Sequence, residues 1–450
     1  MRPAMKHQSP EESDHPYGLG LAILAAGLLM WEEVPAFETF QRGQLSLDPS
    51  AQLRFGAQHG TGINFGYGAT DHPGERERSA FATSLEPRLG ASWDLGGSSL
   101  YGAVSVAAAT TGFDGEIAGN FARSGDAAVD TDEAHIGWRN ETFDFSIGGQ
   151  PFAVGDGLLL ADGNFDTGAT DGNYWVVPFD SWRNSAILKV NTEPLRGEVF
   201  WLRSDRDFGD SRMVGVNLET TVRPELGKLG FMYFEVLEGD RVNYDGLNVW
   251  DFRASDIAVP GVPNLMLYGE LVRQVGTDAD AQRANDAWGW HLEGQYHFPE
   301  LFWTPTLSLR YARFSGDDPE TPENDGYRAM FYTFYIREWD TWYMGEIAGE
   351  YHLFNANQIS KMYKFELVPR EDIHLTLYYY RHDLEEKNYF GVPLSSSDWA
   401  DELNLGVEYF GAKTFFYAGL VWSTPDRAAE EFFGSDDDFT VIQTWMSYRF

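Results

Sequence analysis

From about residue 51 onward the chain repeats one pattern. Runs of roughly ten residues alternate apolar with polar or small positions, and clusters of Gly, Asp, Asn and Pro separate them. The stretch Trp288–Phe298 shows it most clearly. Trp288, Trp290, Leu292, Tyr296 and Phe298 fall on one face, and Gly289, His291, Glu293, Gln295 and His297 on the other. Leu403, Leu405, Val407 and Tyr409 alternate in the same way with Glu402, Asn404, Gly406 and Glu408, as do Ile373, Leu375, Leu377 and Tyr379 with His374, Thr376 and Tyr378. A period of two is the mark of strands whose two faces meet different surroundings. Such runs centre near residues 54, 88, 104, 134, 146, 187, 200, 216, 232, 250, 268, 292, 309, 348, 365, 376, 406, 418 and 445. One of these must be a loop or a broken strand if the count is even, as it is in single-chain bacterial barrels. The expectation is therefore an all-β, transmembrane, antiparallel up-and-down barrel of about 18 strands, with 16 or 20 left open.

Two kinds of connection separate the runs. Asn140–Glu141, Thr192–Pro194 and Pro369–Asp372 are tight, whereas Gly112–Asp130, Asp156–Ser181, Gly276–Asn285, Gly316–Asp325 and His382–Asp401 are long and acidic. Short turns at one end and long loops at the other describe an outer-membrane barrel. Aromatics near the run ends, among them Trp138, Trp288, Phe298, Tyr409 and Trp422, match girdles at two membrane interfaces. A soluble sandwich would favour Val, Ile and Leu on its apolar face, with shorter strands. In lipid every backbone N–H and C=O must find an internal partner, so alternating strands call for a closed barrel. The segment Phe152–Asp180 is long, rich in Gly and Asp and follows a strand, which makes it the expected constriction or plug.

Composition narrows the picture further. The net charge is −36, aromatics make up 15% of the chain and there is no cysteine. No disulfide or thiolate metal site is possible, and the acidic balance argues against a nucleic-acid partner. The one long apolar run, Tyr17–Met30, is short for a membrane helix. Arg2 and Lys6 precede it and Val34–Ala36 offers a cleavage site, so residues 1–36 read as a signal peptide and 37–450 as the barrel. The sequence ends in a clean alternation, Ile442, Thr444, Met446, Tyr448 and Phe450 against Gln443, Ser447 and Arg449. This is expected to be the closing strand, with Phe450 as the signal read by the barrel-assembly machinery.

If the apolar faces meet lipid, the alternate positions line a lumen. Its basic candidates are Arg54, Arg88, Arg139, Lys189, Arg310 and Lys364, and its acids include Glu86, Glu133, Glu293, Glu350, Glu366, Glu402 and Glu408. They would form either a self-neutralised network that props the wall or a selectivity ring acting on a charged solute. Asp156, Asp162, Asp166 and Asp171 are weak Ca²⁺ candidates, since their spacing is not that of an EF-hand loop. Acidic external loops also suit divalent cations on lipopolysaccharide. In the stretch His291–His297 the two histidines lie ~20 Å apart along a strand, too far to share an ion. No nucleophile elbow, phosphate-binding loop or compact catalytic cluster is visible, so neither an enzyme nor a cofactor is expected.

One stretch carries a family resemblance. Glu133 and Trp138 on one strand are followed by Phe145–Gln150, then Gly155–Gly163, Tyr174–Trp175 and a return strand ending in Val190. This resembles the alginate-export family of outer-membrane β-barrel channels. The resemblance implies two strands, a long structured segment and a return strand. It also implies an 18-stranded channel in the bacterial outer membrane that secretes an acidic exopolysaccharide through an arginine-rich lumen. A substrate-selective uptake porin for small solutes is the alternative on the same fold.

Overall fold

The computed structural model describes residues 37–120, 127–163, 176, 178, 180–206, 209–220, 227–240, 244–277, 283–333 and 344–450, the side chain of Glu350 excepted. The expected signal peptide, Asp166 and Asp171 lie outside the described residues. Eighteen strands close into one antiparallel barrel. They are β1 Leu45–Thr61, β2 Glu77–Asp94, β3 Ser98–Phe113, β4 Ala127–Asn140, β5 Phe143–Pro151 and β6 Ser181–Asn191. There follow β7 Leu195–Arg203, β8 Arg212–Thr220, β9 Lys228–Glu238, β10 Asn248–Ala258, β11 Leu265–Thr277 and β12 Ala284–His297. The circuit ends with β13 Thr306–Phe314, β14 Gln358–Arg370, β15 Ile373–Leu384, β16 Asp398–Phe410, β17 Thr414–Pro425 and β18 Phe439–Arg449.

Closure is made between β1 and β18, in register from Gln52 opposite Arg449 to Thr61 opposite Thr440. The first residues of β1 run past the end of β18, and a short strand, Phe40–Arg42, folds back to pair with Leu45–Leu47. From Gln52 to Thr61 the edge of β1 is thus paired, which a barrel in lipid requires. The Phe450 N–H donates to the Ala51 carbonyl at 2.9 Å, so the seam extends to that residue.

The period-two pattern decides which way each side chain points. Leu292 is 62% exposed and its neighbour Glu293 3%. Leu85, Leu89, Trp93, Leu271, Leu309, Phe365, Leu405 and Ile442 lie on the outer wall, and Glu86, Gln274, His291, Arg310, Lys364, Asn404 and Gln443 on the inner one. An apolar exterior over a polar interior is the arrangement lipid demands.

The run centred near residue 348 is not a strand. It forms a π-helix, Glu346–Leu353, and the connection from β13 to β14 therefore spans residues 315–357. Every described residue from Met344 to Leu353 is buried, so the segment meets no water on either side, and eight residues buried all round carry no period that tells a helix from a strand. Two further long connections went unmarked in the sequence, between β1 and β2 and between β17 and β18. The latter holds α1, Arg427–Phe433.

Candidate functional site: the lumen wall and its inward loops

Lumen-facing charges sit on the same strand or on near neighbours, so many of the acids meet a base. Arg54 on β1 pairs with Glu86 on β2 at 2.9 Å. Arg88 on β2 reaches over β3 to Glu133 on β4, with two hydrogen bonds of 2.7 and 3.2 Å. The residue beneath it on β3, Ser105, is small enough to permit the crossing. Its hydroxyl donates to Asp132 at 3.1 Å and accepts from the Glu133 N–H at 3.0 Å. Lys189 lies 3.8 Å from Glu198, Arg310 lies 2.6 Å from Glu293, and Lys364 lies 3.1 Å from Glu366. Arg139 is different. It is exposed near the β4–β5 turn, donates to Ser99 Oγ at 3.3 Å and stacks over the Tyr101 ring at 4.9 Å.

Five of the six basic candidates thus carry a carboxylate partner, which makes the wall a paired ladder rather than a ring of bare arginines. The ladder continues through residues not singled out from the sequence. Glu198 accepts from Arg196 at 2.7 Å and from Asn217 at 3.1 Å, and Asn217 accepts from Arg253 on β10 at 2.5 Å. Arg253 also bonds to Asp251. Asp251 and Arg253 alternate with Trp250 and Phe252, so the same period-two signal would have found them.

Glu86, Asp132 and Glu133 bring one carboxylate oxygen each within 4.8 Å of one another. They are the one such group of three among the described residues, and their charge is answered by Arg54 and Arg88. It is not the set expected from the sequence. Asp162 instead sits in a loop clasp, its N–H donating to the Phe331 carbonyl at 2.9 Å.

Two long loops fold into the barrel and meet there. Leu160, from the β5–β6 connection, forms a parallel bridge with Phe331 of the β13–β14 connection. The Ala161 N–H donates to Phe331 O at 2.8 Å, the Phe331 N–H to Leu159 O at 3.0 Å and the Thr333 N–H to Gly157 O at 2.9 Å. Phe331 packs on Trp182 with ring centres 5.2 Å apart, and Trp182 Nε1 donates to the Phe152 carbonyl at 2.8 Å. Burying these rings with Leu158–Leu160, Phe200 and Tyr244 builds an apolar cluster against the inner wall. Gly155 lies directly over Arg253, where a Cβ would come within 2.5 Å of its Cδ, and its φ is +61°. Any other residue there would lift the loop off the arginine.

The π-helix is held from below by Glu402 on β16. The Glu402 carboxylate accepts the backbone N–H groups of Glu346, Ile347 and Ala348 at 2.7, 3.0 and 2.7 Å. These are groups the helix cannot satisfy internally, and an anion suits the positive end of the peptide dipoles. On the other side His352 sits in an aromatic box, 5.0 Å from Phe65, 5.1 Å from Phe433 and 6.0 Å from Trp399. Its Nε2 meets Asn64 Oδ1 at 3.1 Å, and the Asn64 amide nitrogen donates to Gly68 O and Ala118 O. Asn64 therefore presents its oxygen to the ring, so His352 donates through Nε2. Burial pushes the His352 imidazole down to about 3.

The comparisons with known proteins agree with this geometry. The family model described as alginate export matches residues 200–391. That span runs from β7 through the β13–β14 loop to the connection after β15. It lies downstream of the Glu133–Val190 stretch on which the resemblance was drawn, although that stretch does fold as two strands, a long segment and a return strand. No curated protein matches the chain. Among solved structures, Acinetobacter baumannii OccAB1 superposes with a TM-score of 0.62 at 11% identity, over 90% of this chain and 96% of that one. Pseudomonas aeruginosa OccK5 (OpdH) gives 0.59 at 10% identity over 89% and 98%, and OpdQ of the same organism 0.59 at 11% over 90% and 98%. With its apolar exterior, charged lumen and inward loops, the chain is a bacterial outer-membrane β-barrel channel that carries the alginate-export pattern across residues 200–391.

Proposed function

We propose that the channel exports an acidic, uronate-type exopolysaccharide. The observation that carries this reading is where the alginate-export match falls. It spans the strands that bring Arg253, Arg310 and Lys364 to the lumen and the whole inward loop with its π-helix. A polyuronate offers the lumen cations carboxylates of the same kind as their partners in the wall. Solute and wall carboxylates would exchange on fixed guanidinium groups by the same charge-assisted hydrogen bonds. Each hold is then partly offset by the pair it replaces, which keeps binding shallow enough for the chain to move on. Acidic outer loops would associate with divalent cations of lipopolysaccharide, and the seam ending at Phe450 would be presented to the assembly machinery.

A second reading, uptake of small solutes, is supported by the clasp of the two inward loops, which narrows the lumen. Planar-bilayer recording separates the two. Export of a polyuronate requires that a uronate hexamer interrupt the current. A strongly cation-selective channel that ignores the hexamer overturns it and favours uptake.

A further inference from the structure

Barrel lumens are polar, yet one part of this wall is lined by rings. His374 on β15, Phe410 on β16, Phe415 on β17 and Trp445 on β18 occupy lumen-facing register positions on four successive strands. Phe410 lies opposite Phe415 in the β16–β17 ladder, Phe415 opposite Ser447 and Trp445 opposite Tyr417. Ser447 and Tyr417 are buried on the inner wall, which fixes the side from which these rings project. The rings touch in sequence, with centres 5.0 Å apart from His374 to Phe410, 5.2 Å from Phe410 to Phe415 and 5.5 Å from Phe415 to Trp445. All four lie in the half of the barrel bounded by the short turns, which is the periplasmic side.

These rings are not packed away. Phe410 is 45% exposed, and His374, Phe415 and Trp445 are half-buried. Hydrocarbon rings held against the water of a lumen lose hydration free energy, and an exposed apolar patch of this kind marks a contact surface. Polar groups border both ends of the arc. Glu366 lies 3.2 Å from His374 and 3.1 Å from Lys364, and at the other end Arg54 is opposite Ser447 across the seam. The ring planes are tilted 54° to 65° from one to the next, so each offers its own face, and such a face rimmed by hydrogen-bonding groups suits a pyranose ring, whose axial C–H bonds present an apolar face and whose hydroxyls lie at the edge. Above the arc, on the same strand as His374, Tyr378 and Tyr380 stack at 6.0 Å with planes 6° apart, and Tyr380 stacks on His382 at 5.5 Å. The aromatic line therefore continues along β15 toward the inward loops.

We propose that the arc of His374, Phe410, Phe415 and Trp445 is a carbohydrate-stacking subsite at the periplasmic entrance of the lumen, which receives the sugar rings of the translocating chain. The class of occupant rests on the export reading above, and the arc adds the point of entry and the mode of contact. Stacking acts on the ring and not on its charge, so neutral and acidic sugars should both be held.

The test uses the full-length protein in planar bilayers, with either a uronate hexamer or an uncharged glucose hexamer added on the periplasmic side. In the wild type both should interrupt the current. Phe415→Leu and Trp445→Leu keep an apolar side chain and remove the ring, and the double variant should weaken both blocks by about tenfold. Its conductance in salt alone should remain that of the wild type, and heat-dependent gel mobility reports whether the barrel is folded. Trp445→Phe should recover most of the block. Block of the wild type by glucose hexamer alone leaves the arc standing and removes the acidic-polysaccharide reading. Uronate block of equal strength in the wild type and the folded double variant overturns the arc and leaves the export reading intact. Failure of the glucose hexamer to block the wild type overturns the arc.

Discussion

Arg88 holds Glu133 across an intervening strand, through hydrogen bonds of 2.7 and 3.2 Å that span from β2 to β4 over Ser105. Replacing Glu133 by Gln keeps the shape and removes one charge from the pair, leaving the guanidinium free to act on ions in the lumen. In water a unit charge acts on an ion ~7 Å away with about 0.6 kcal/mol, close to threefold in occupancy. The reversal potential of E133Q in a salt gradient should therefore move toward anions by a permeability ratio of about three. An unchanged reversal potential would show that Arg88 does not face the conducting path.

The Arg310–Glu293 pair poses a stability question. Both side chains are almost wholly buried, at 1% and 0% exposure. Removing one partner strands the other charge, so Glu293→Ala and Arg310→Ala should each cost about 3–5 kcal/mol, whereas the double change to Leu and Met should cost far less. Urea unfolding in lipid vesicles measures this. Near-equal losses for the single and double variants would mean that the pair is not coupled.

Glu402 is expected to control how firmly the π-helix is seated. Glu402→Ala leaves three backbone N–H groups without their acceptor, a loss of roughly 1–3 kcal/mol or more. The expected result is a noisier channel with brief additional openings at unchanged barrel stability. Glu402→Gln, which keeps one acceptor oxygen, should fall between the two. A quiet E402A channel would detach the π-helix from gating.

Acid should loosen the same segment through His352. Its pKa is lowered in the fold to about 3, against an ordinary value near 6.5. The opened state therefore binds the proton more readily. The stability that neutral His352 contributes is complete above pH ~6.5 and declines as pH falls toward 3. At pH 4.5 the decline is on the order of a few kcal/mol. Acidifying the extracellular side from pH 7.5 to 4.5 should raise current fluctuations, and His352→Gln should remove most of that increase. An equal acid response in the variant would assign it to the carboxylates instead.

The seam offers a last test. Deleting Phe450 removes the hydrogen bond to Ala51 and the ring packed 4.9 Å from Tyr448. Outer-membrane levels are expected to drop sharply in cells, as read by fractionation, and normal levels would show that assembly does not use this residue.

The two-faced wall is legible in the amino-acid order alone. Alternation is a local property of an extended backbone, so Trp288–Phe298 or Ile373–Tyr379 reveals its two faces without any neighbour, and charge at the inner positions follows. Short turns and long connections likewise told one rim from the other. Which charges are paired depends on how the strands come together. Arg88 lies two residues from Glu86 in the chain, yet it bonds to Glu133 on β4, because partners are set by strand register and by the small residue between them. The clasp of Leu160 with Phe331 and the seating of Glu346–Leu353 on Glu402 were equally out of reach. Those contacts join segments more than fifty residues apart, and no periodicity within either segment encodes the other. The aromatic arc shows both limits at once. Each ring sits at a lumen position that alternation marks, but only closure of β15 through β18 side by side brings His374, Phe410, Phe415 and Trp445 into one surface.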